Sequence, residues 1–274
     1  MKQALALSLA AALVAVATPA AAQSNWAGFY AGGHAGKTDR AGGRDALVDF
    51  DTNLDGQFGD TVRTSGGANA FSPGFCGGAA FGTTPGLGCK GDDAGSDFGL
   101  RAGYDWQSGG LVFGVVGEYA RGKAKDSVSA FSTTPAFYTL TRELDDTFSV
   151  RGRIGFSFGG DRNLVYATGG YAWASVKNSF STSNTANTFT NTGDSDAEGA
   201  QYGVGYERRF GENVSLGVEY LITELTDDEY RVRAQGPAPA TNPFILVNPQ
   251  GTDFRRSDDD FDLGALRMTA SYRF

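Results

Sequence analysis

The sequence predicts an all-β chain, an eight-stranded antiparallel transmembrane β-barrel with long extracellular loops and short periplasmic turns. Three features carry this: an N-terminal export leader, period-2 alternation in segments of about 9 to 12 residues, and connections that alternate between short and long.

The leader comes first. Met1-Lys2 gives a positive start, Ala4 to Ala17 is apolar except for Ser8, Thr18-Pro19 break the run, and Ala20-Ala21-Ala22 offers a small-residue cleavage site. The apolar run is 14 residues long, short of the roughly 20 that a spanning helix needs. Residues 1–22 therefore read as a cleaved signal peptide and 23–274 as the barrel. After Gln23 no stretch is long and apolar enough to predict a transmembrane helix.

Composition agrees with β structure. The 40 glycines disfavour long helices, because each interior glycine costs about 1 kcal/mol against alanine. The chain has 23 Lys and Arg against 31 Asp and Glu, a net charge of −8. This acidic balance argues against a nucleic-acid partner, whose binders carry basic patches. Cys76 and Cys89 stand 13 positions apart, and an exported chain meets an oxidising compartment, so they are expected to form one disulfide. Closing a loop of that length contributes about 3 kcal/mol in the chain-entropy model.

The clearest strand is Thr147 to Phe158. Phe148, Val150, Ile154, Phe156 and Phe158 share one face, while Ser149, Arg151, Arg153 and Ser157 share the other. Similar patterns place strands at Trp26–Gly36, Ser96–Gln107, Leu111–Ala120, Asn163–Lys177, Gln201–Phe210, Val214–Leu225 and Phe261–Phe274. Strands 2–3, 4–5 and 6–7 join through short turns bearing Gly, Asp or Asn. The other connections run to roughly 60, 26, 23 and 35 residues, which sorts short turns to one rim and long loops to the other. The first loop, about 37–95, carries the cysteine pair. Aromatics near strand ends, among them Trp26, Tyr104, Trp106, Tyr171, Trp173, Tyr272 and Phe274, fit girdles at the two interfaces with outer-membrane lipid.

If the apolar face meets lipid, the other face lines a narrow lumen. Alternation puts Arg101, Asp105, Glu118, Arg151, Arg153, Glu207, Arg209, Glu219, Arg267 and Arg273 there. Burying an unpaired charge costs several kcal/mol, so these groups are expected to pair across the lumen. Eight strands leave an interior only wide enough for side chains, and a packed plug is predicted in preference to a narrow ion path.

Several phrases resemble a known family. Trp26-Ala27-Gly28-Phe29-Tyr30-Ala31-Gly32-Gly33, Gly103-Tyr104-Asp105-Trp106-Gln107, Ala167-Thr168-Gly169-Gly170-Tyr171, Gly217-Val218-Glu219-Tyr220 and the closing Ser271-Tyr272-Arg273-Phe274 are similar, in order and spacing, to those of the small opacity-like surface antigens, the alphaproteobacterial outer-membrane immunogenic proteins. The resemblance implies an eight-stranded barrel, abundant in the outer membrane of a Gram-negative cell and often without an assigned enzymatic activity. The first loop is longer than is usual for that group.

Candidate sites are few. Asp51-Thr52-Asn53-Leu54-Asp55-Gly56 matches the opening of a calcium loop, with Asp60 as a further carboxylate, although the glutamate expected at the twelfth position is Val62. An Asx-rich turn is the alternative. His34 is the single histidine and is expected to be a packed strand residue, so no enzyme is expected. Tyr272 and Phe274 close an alternating strand that resembles the signal read by the barrel assembly machinery. These features imply a structural surface protein with a plugged, salt-bridged lumen that supports the envelope and presents its loops. The alternatives are an adhesin-like or calcium-ordered binding module acting on an extracellular partner through the first loop, and a narrow small-solute porin.

Overall fold

A computed structural model describes residues 26–40, 47–92, 94–227 and 229–274; the expected leader and its cleavage site lie outside them. Eight long strands form a ring: β1 (Gly28–Arg40), β2 (Gly95–Ser108), β3 (Leu111–Gly122), β4 (Ala136–Phe158), β5 (Asn163–Thr182), β6 (Ser195–Phe210), β7 (Val214–Thr226) and β8 (Asp260–Arg273). Each is antiparallel to its predecessor, and β8 returns to pair with β1 from Tyr30↔Arg273 to Arg40↔Leu263. Closure removes the open edges that a sheet of this length would otherwise present.

Strand alternation then sorts the side chains. On β4, Phe148, Val150, Ile154, Phe156 and Phe158 point outward and are 44–63% exposed, whereas Ser149, Arg151, Arg153 and Ser157 point inward and are at most 4% exposed. The same apolar-out pattern continues through Val214, Leu216, Val218 and Tyr220 on β7 and Leu266, Met268 and Tyr272 on β8. The turn from β4 to β5 carries three successive residues in the left-handed region, Gly159 (φ 65°), Gly160 (φ 69°) and Asp161 (φ 58°). Glycine reaches that region at no steric cost and aspartate tolerates it.

Strand boundaries differ from the sequence reading chiefly on the long-loop side, where the walls are taller. β4 begins at Ala136 rather than Thr147, β5 runs to Thr182, β6 begins at Ser195, and β1 continues to Arg40. The reason on β4 is an irregularity. The pairing steps from Ala174↔Thr147 to Val176↔Leu144, and this bulge shifts the alternation across Asp145-Asp146. Trp26, expected among the girdle aromatics, is instead fully buried.

The long connections do not hang free; parts of all four fold into one cap. Val48–Asp51, Thr252–Arg256, Val232–Gln235 and Thr188–Asn191 form a four-stranded sheet in that order. Lys125–Ser132 pairs with the raised part of β4, and Gly74–Gly77 pairs with Lys125–Ser132 in turn. Between these layers lies an apolar core of Phe50, Phe71, Tyr138, Phe244 and Phe254, with Phe180 and Phe189 packed against it. Ring centroids of Phe50 and Phe71 are 4.5 Å apart, and those of Phe71 and Tyr138 5.2 Å. Aromatic pairs of this kind contribute about 0.5–1.5 kcal/mol each beyond area burial.

Arg142 fastens the cap to the barrel. Fully buried, it donates from Nε to Asp126 Oδ2 at 2.9 Å, reaches the backbone carbonyls of Asp259 and Asp260, and lies 4.5 Å from the Phe261 ring centroid. Arg256 donates to the same Asp126 oxygen at 2.8 Å. Removing one partner of a buried ion pair typically costs about 3–5 kcal/mol. Arg142→Met should therefore loosen the cap while leaving the ring closed. The expected result is rapid protease cutting within 227–259 and an unchanged heat-modifiable gel shift of the barrel. Equal protease resistance in the variant and the parent would show that the anchor lies elsewhere.

Candidate functional site: the charged lumen and its closures

The inward faces converge on a group of charges with alternating sign. Near the short-turn rim, Asp105 on β2, Arg153 on β4, Glu207 on β6 and Arg273 on β8 come from the four even strands. Arg153 binds Asp105 through Nε at 2.7 Å and through a second nitrogen, and Glu207 Oε1 at 2.8 Å. Arg273 binds Asp105 Oδ2 at 2.8 Å and faces Glu207 Oε2 at 3.5 Å. Each guanidinium thus stands between two carboxylates.

A second group sits on the long-loop side of the first. Arg151 bridges Glu118 Oε2 at 3.0 Å and Glu219 Oε1 at 3.2 Å. Arg101 donates to Glu219 Oε2 at 3.3 Å, which also accepts from the Tyr166 hydroxyl at 2.8 Å. Arg267 binds both Glu118 and Asp97. All these side chains are buried. Charge-assisted bonds of this geometry are what make buried ions tolerable.

Nine of the ten residues expected in the lumen (Arg101, Asp105, Glu118, Arg151, Arg153, Glu207, Glu219, Arg267 and Arg273) are therefore brought together, while Arg209 reaches the Glu212 carbonyl and lies 5.8 Å from the Trp26 ring centroid. Sequence reasoning passed over Asp97, although it shares the parity of Arg101 and Asp105 on β2. His34 Nε2 lies 3.3 Å from Asp97 Oδ1, and Nδ1 lies 3.6 Å from Glu118 Oε2, with the ring enclosed. Space for rings in so narrow a ring of strands comes from glycine. A Cβ at Gly103 would stand 2.5 Å from the Tyr30 ring, and one at Gly205 would stand 2.3 Å from that of Tyr166.

The lumen is closed above and below these ions. At the short-turn mouth, the Trp26 N–H donates to Gln107 Oε1 at 2.6 Å, its carbonyl accepts from Arg273 at 2.8 Å, and the Arg273 guanidinium lies 4.6 Å from its ring centroid. Toward the long-loop side a cavity of about 20 Å³ is lined by Thr38, Asp97, Gln201, Thr223 and Arg267, with Gln201 Oε1 buried and unpartnered. That is room for one water. Beyond it an apolar layer of Leu144, Val176, Leu225, Phe261 and Leu263 fills the ring, and the aromatic cap lies farther out. Burial pushes the Tyr138 and Tyr230 hydroxyls in the cap up from the usual phenol range.

The remaining predicted residues lie apart from the lumen. Cys76 and Cys89 are disulfide-bonded, with Cα atoms 6.3 Å apart. In the Asp51–Asp60 turn, Asp51 accepts from the N–H groups of Leu54, Asp55 and Gly56, and Asn53 Oδ1 accepts from that of Asp55. Asp60 Oδ2 accepts from Thr52 N and Oγ1. This is the bonding of an Asx turn. Among the described residues, the three carboxylates whose oxygens all lie within 4.8 Å of one another are instead Asp258, Asp259 and Asp260. Tyr272 and Phe274 are exposed on the outward face at the short-turn rim, their ring centroids 5.2 Å apart, and Phe274 N–H donates to the Phe29 carbonyl at 3.0 Å.

The model of the outer membrane protein beta-barrel domain family matches residues 8–274. The 31 kDa outer-membrane immunogenic protein of Brucella melitensis biotype 1 is 28% identical over 229 residues, covering 80% of this chain and 82% of the relative. The protein of the same name from Brucella suis biovar 1 matches equally. Among solved structures, Ail, the attachment invasion locus protein of Yersinia pestis, gives a TM-score of 0.35 at 12% identity, covering 90% of this chain and 99% of that one. The outer membrane protease OmpT of Escherichia coli gives 0.40 at 10% identity, covering 90% and 97%. At these scores the likeness says nothing about what the chain binds or cleaves. The family match says what the chain is: it belongs to the outer membrane protein beta-barrel domain family, and its place is the cell outer membrane.

Proposed function

We propose that the chain is a structural surface protein that spans the outer membrane with β1–β8, presents its cap to the outside and neither conducts solutes nor catalyses a reaction. The observation that carries this reading is the sealed interior. Trp26, the paired arginines, the apolar layer around Phe261 and the aromatic cap occupy successive levels of the lumen. The outward belt of Phe, Tyr, Trp, Val, Leu and Ile supports lipid contact. In this orientation the export leader at 1–22 delivers the chain, the short turns face the periplasm, and Tyr272 with Phe274 act as the assembly signal. An enzymatic role finds little support, because the single histidine, His34, is enclosed between Asp97 and Glu118.

A second reading, a binding module working through the first loop, is favoured by one feature. The disulfide-tied segment between Cys76 and Cys89 displays Phe81 at 67% and Leu87 at 61% exposure. The Asp51–Asp60 turn of the same connection is shaped by its own hydrogen bonds, with Asp51 and Asp60 as the accepting carboxylates. Coordination by Asp51, Asn53, Asp55 and Asp60 remains a secondary proposal.

Three measurements test the main reading. Refolded mature protein in a planar bilayer should show no stepwise conductance; steady channel openings would refute the sealed lumen. Ile154→Arg should cost about 2–4 kcal/mol of folding free energy in lipid, and Val214→Arg, nearer the rim, only about 0–1. Equal costs at the two positions would argue against a lipid-facing belt. Deleting Phe274 should reduce assembly in cells yet leave refolding of the purified chain in detergent intact. A parallel loss of both would make Phe274 a stability residue instead.

A further inference from the structure

The outer face of the cap sheet holds a charge arrangement that neither the lumen nor the membrane belt explains. The register Val232↔Phe254 in the antiparallel pair sets Arg231 directly across from Arg255, and Arg255 is paired in turn with Asp49. Val232, Phe254 and Phe50 point into the core, so these three charged residues share the opposite face. In the neighbouring row Arg233 is satisfied by Asp253 through two bonds of 2.6 and 2.7 Å. Arg231 and Arg255 are not satisfied in this way. Neither makes an ion pair among the described residues, Asp49 included, and Arg255 Nε is buried without an acceptor.

Both guanidiniums instead lie over one ring: the Phe58 centroid is 4.5 Å from that of Arg255 and 5.3 Å from that of Arg231. Like charges directly opposite on a sheet repel, and a buried donor without an acceptor is destabilising. The backbone around them is nevertheless hydrogen-bonded on both sides. Thr192 and Arg231 exchange bonds of 3.1 Å that fix the backbone there, and the Phe50 carbonyl accepts from Gly59 and Asp60 beside Phe58. Cation–π contact positions the two forks without neutralising them. What would neutralise them is an anion with more than two acceptor oxygens, since each guanidinium offers a planar set of donors matched to phosphate geometry.

We propose that Arg231 and Arg255, mounted on Phe58, form an oxyanion-binding site on the outer face of the cap, taking a phosphate group. The test uses the full mature chain refolded in detergent micelles, with arginine Nε–H resonances followed by NMR. Inorganic phosphate and glucose 6-phosphate are titrated separately, against sodium chloride at matched ionic strength. Saturable shifts of Arg231 and Arg255 with either phosphate, absent with chloride, are expected. Arg231→Gln and Arg255→Gln should each weaken binding at least tenfold, while Arg63→Gln, an equal change of charge elsewhere in the first loop, should not. Tighter binding of the sugar phosphate would identify an ester as the partner, and equal binding a free anion. Equal shifts with chloride, equal losses in all three variants, or no shift in the parent protein would each overturn the site. The heat-modifiable gel shift of each variant separates loss of binding from loss of fold.

Discussion

An eight-stranded closed sheet encloses a space that only side chains can fill, and the strands put charged groups of both signs into it. Once the ring is closed by β8 pairing with β1, water cannot solvate those groups, so each must find its counter-charge across the lumen or pay a desolvation cost of several kcal/mol. The arrangement meets this by contributing successive charges from different strands. Arg153 lies between Asp105 and Glu207, and Arg151 lies between Glu118 and Glu219. Narrowness also explains the inward glycines. The rings of Tyr30 and Tyr166 lie where a Cβ on Gly103 or Gly205 would stand.

The molecule has two interiors of opposite chemistry. Within the ring the packing is ionic, with apolar residues on the outside, the inverse of a soluble protein. Above the ring the usual order returns: Phe50, Phe71, Tyr138, Phe244 and Phe254 lie inside, while Arg231, Arg233, Arg255 and Asp253 lie on the sheet's outer face. On the proposed reading, in which the ring spans the membrane, a change of medium explains the change of order, because a surface in water hides its apolar residues and a surface in lipid displays them. Arg142 stands at the junction, bonded to Asp126 of the raised hairpin and to the backbone at the start of β8. A buried guanidinium there connects segments that are far apart in sequence.

Because the four long connections share one core, they do not act as separate loops. The cap sheet borrows Val48–Asp51 from the first connection and Thr252–Arg256 from the last. A surface formed in this way presents shapes assembled from several segments, and the Arg231–Phe58–Arg255 cluster draws one residue from the first connection and two from the last.

The closed barrel was legible in the sequence because its signal is local. Alternation on β4 reads Phe148, Val150, Ile154 and Phe156 against Ser149, Arg151 and Arg153 without knowledge of any partner strand. The same parity marked the lumen charges, and two cysteines in a chain read as exported marked the Cys76–Cys89 bond. The bulge near Leu144, the inward turn of Trp26 and the cap strands were not legible. Strands of four or five residues carry too little periodicity to stand out, and their pairing joins positions some two hundred residues apart, such as Phe50 and Phe254. Alternation determined which side chains share a face of each strand. Only the closed ring decided which charge meets which, because that depends on the register of strands distant in the chain.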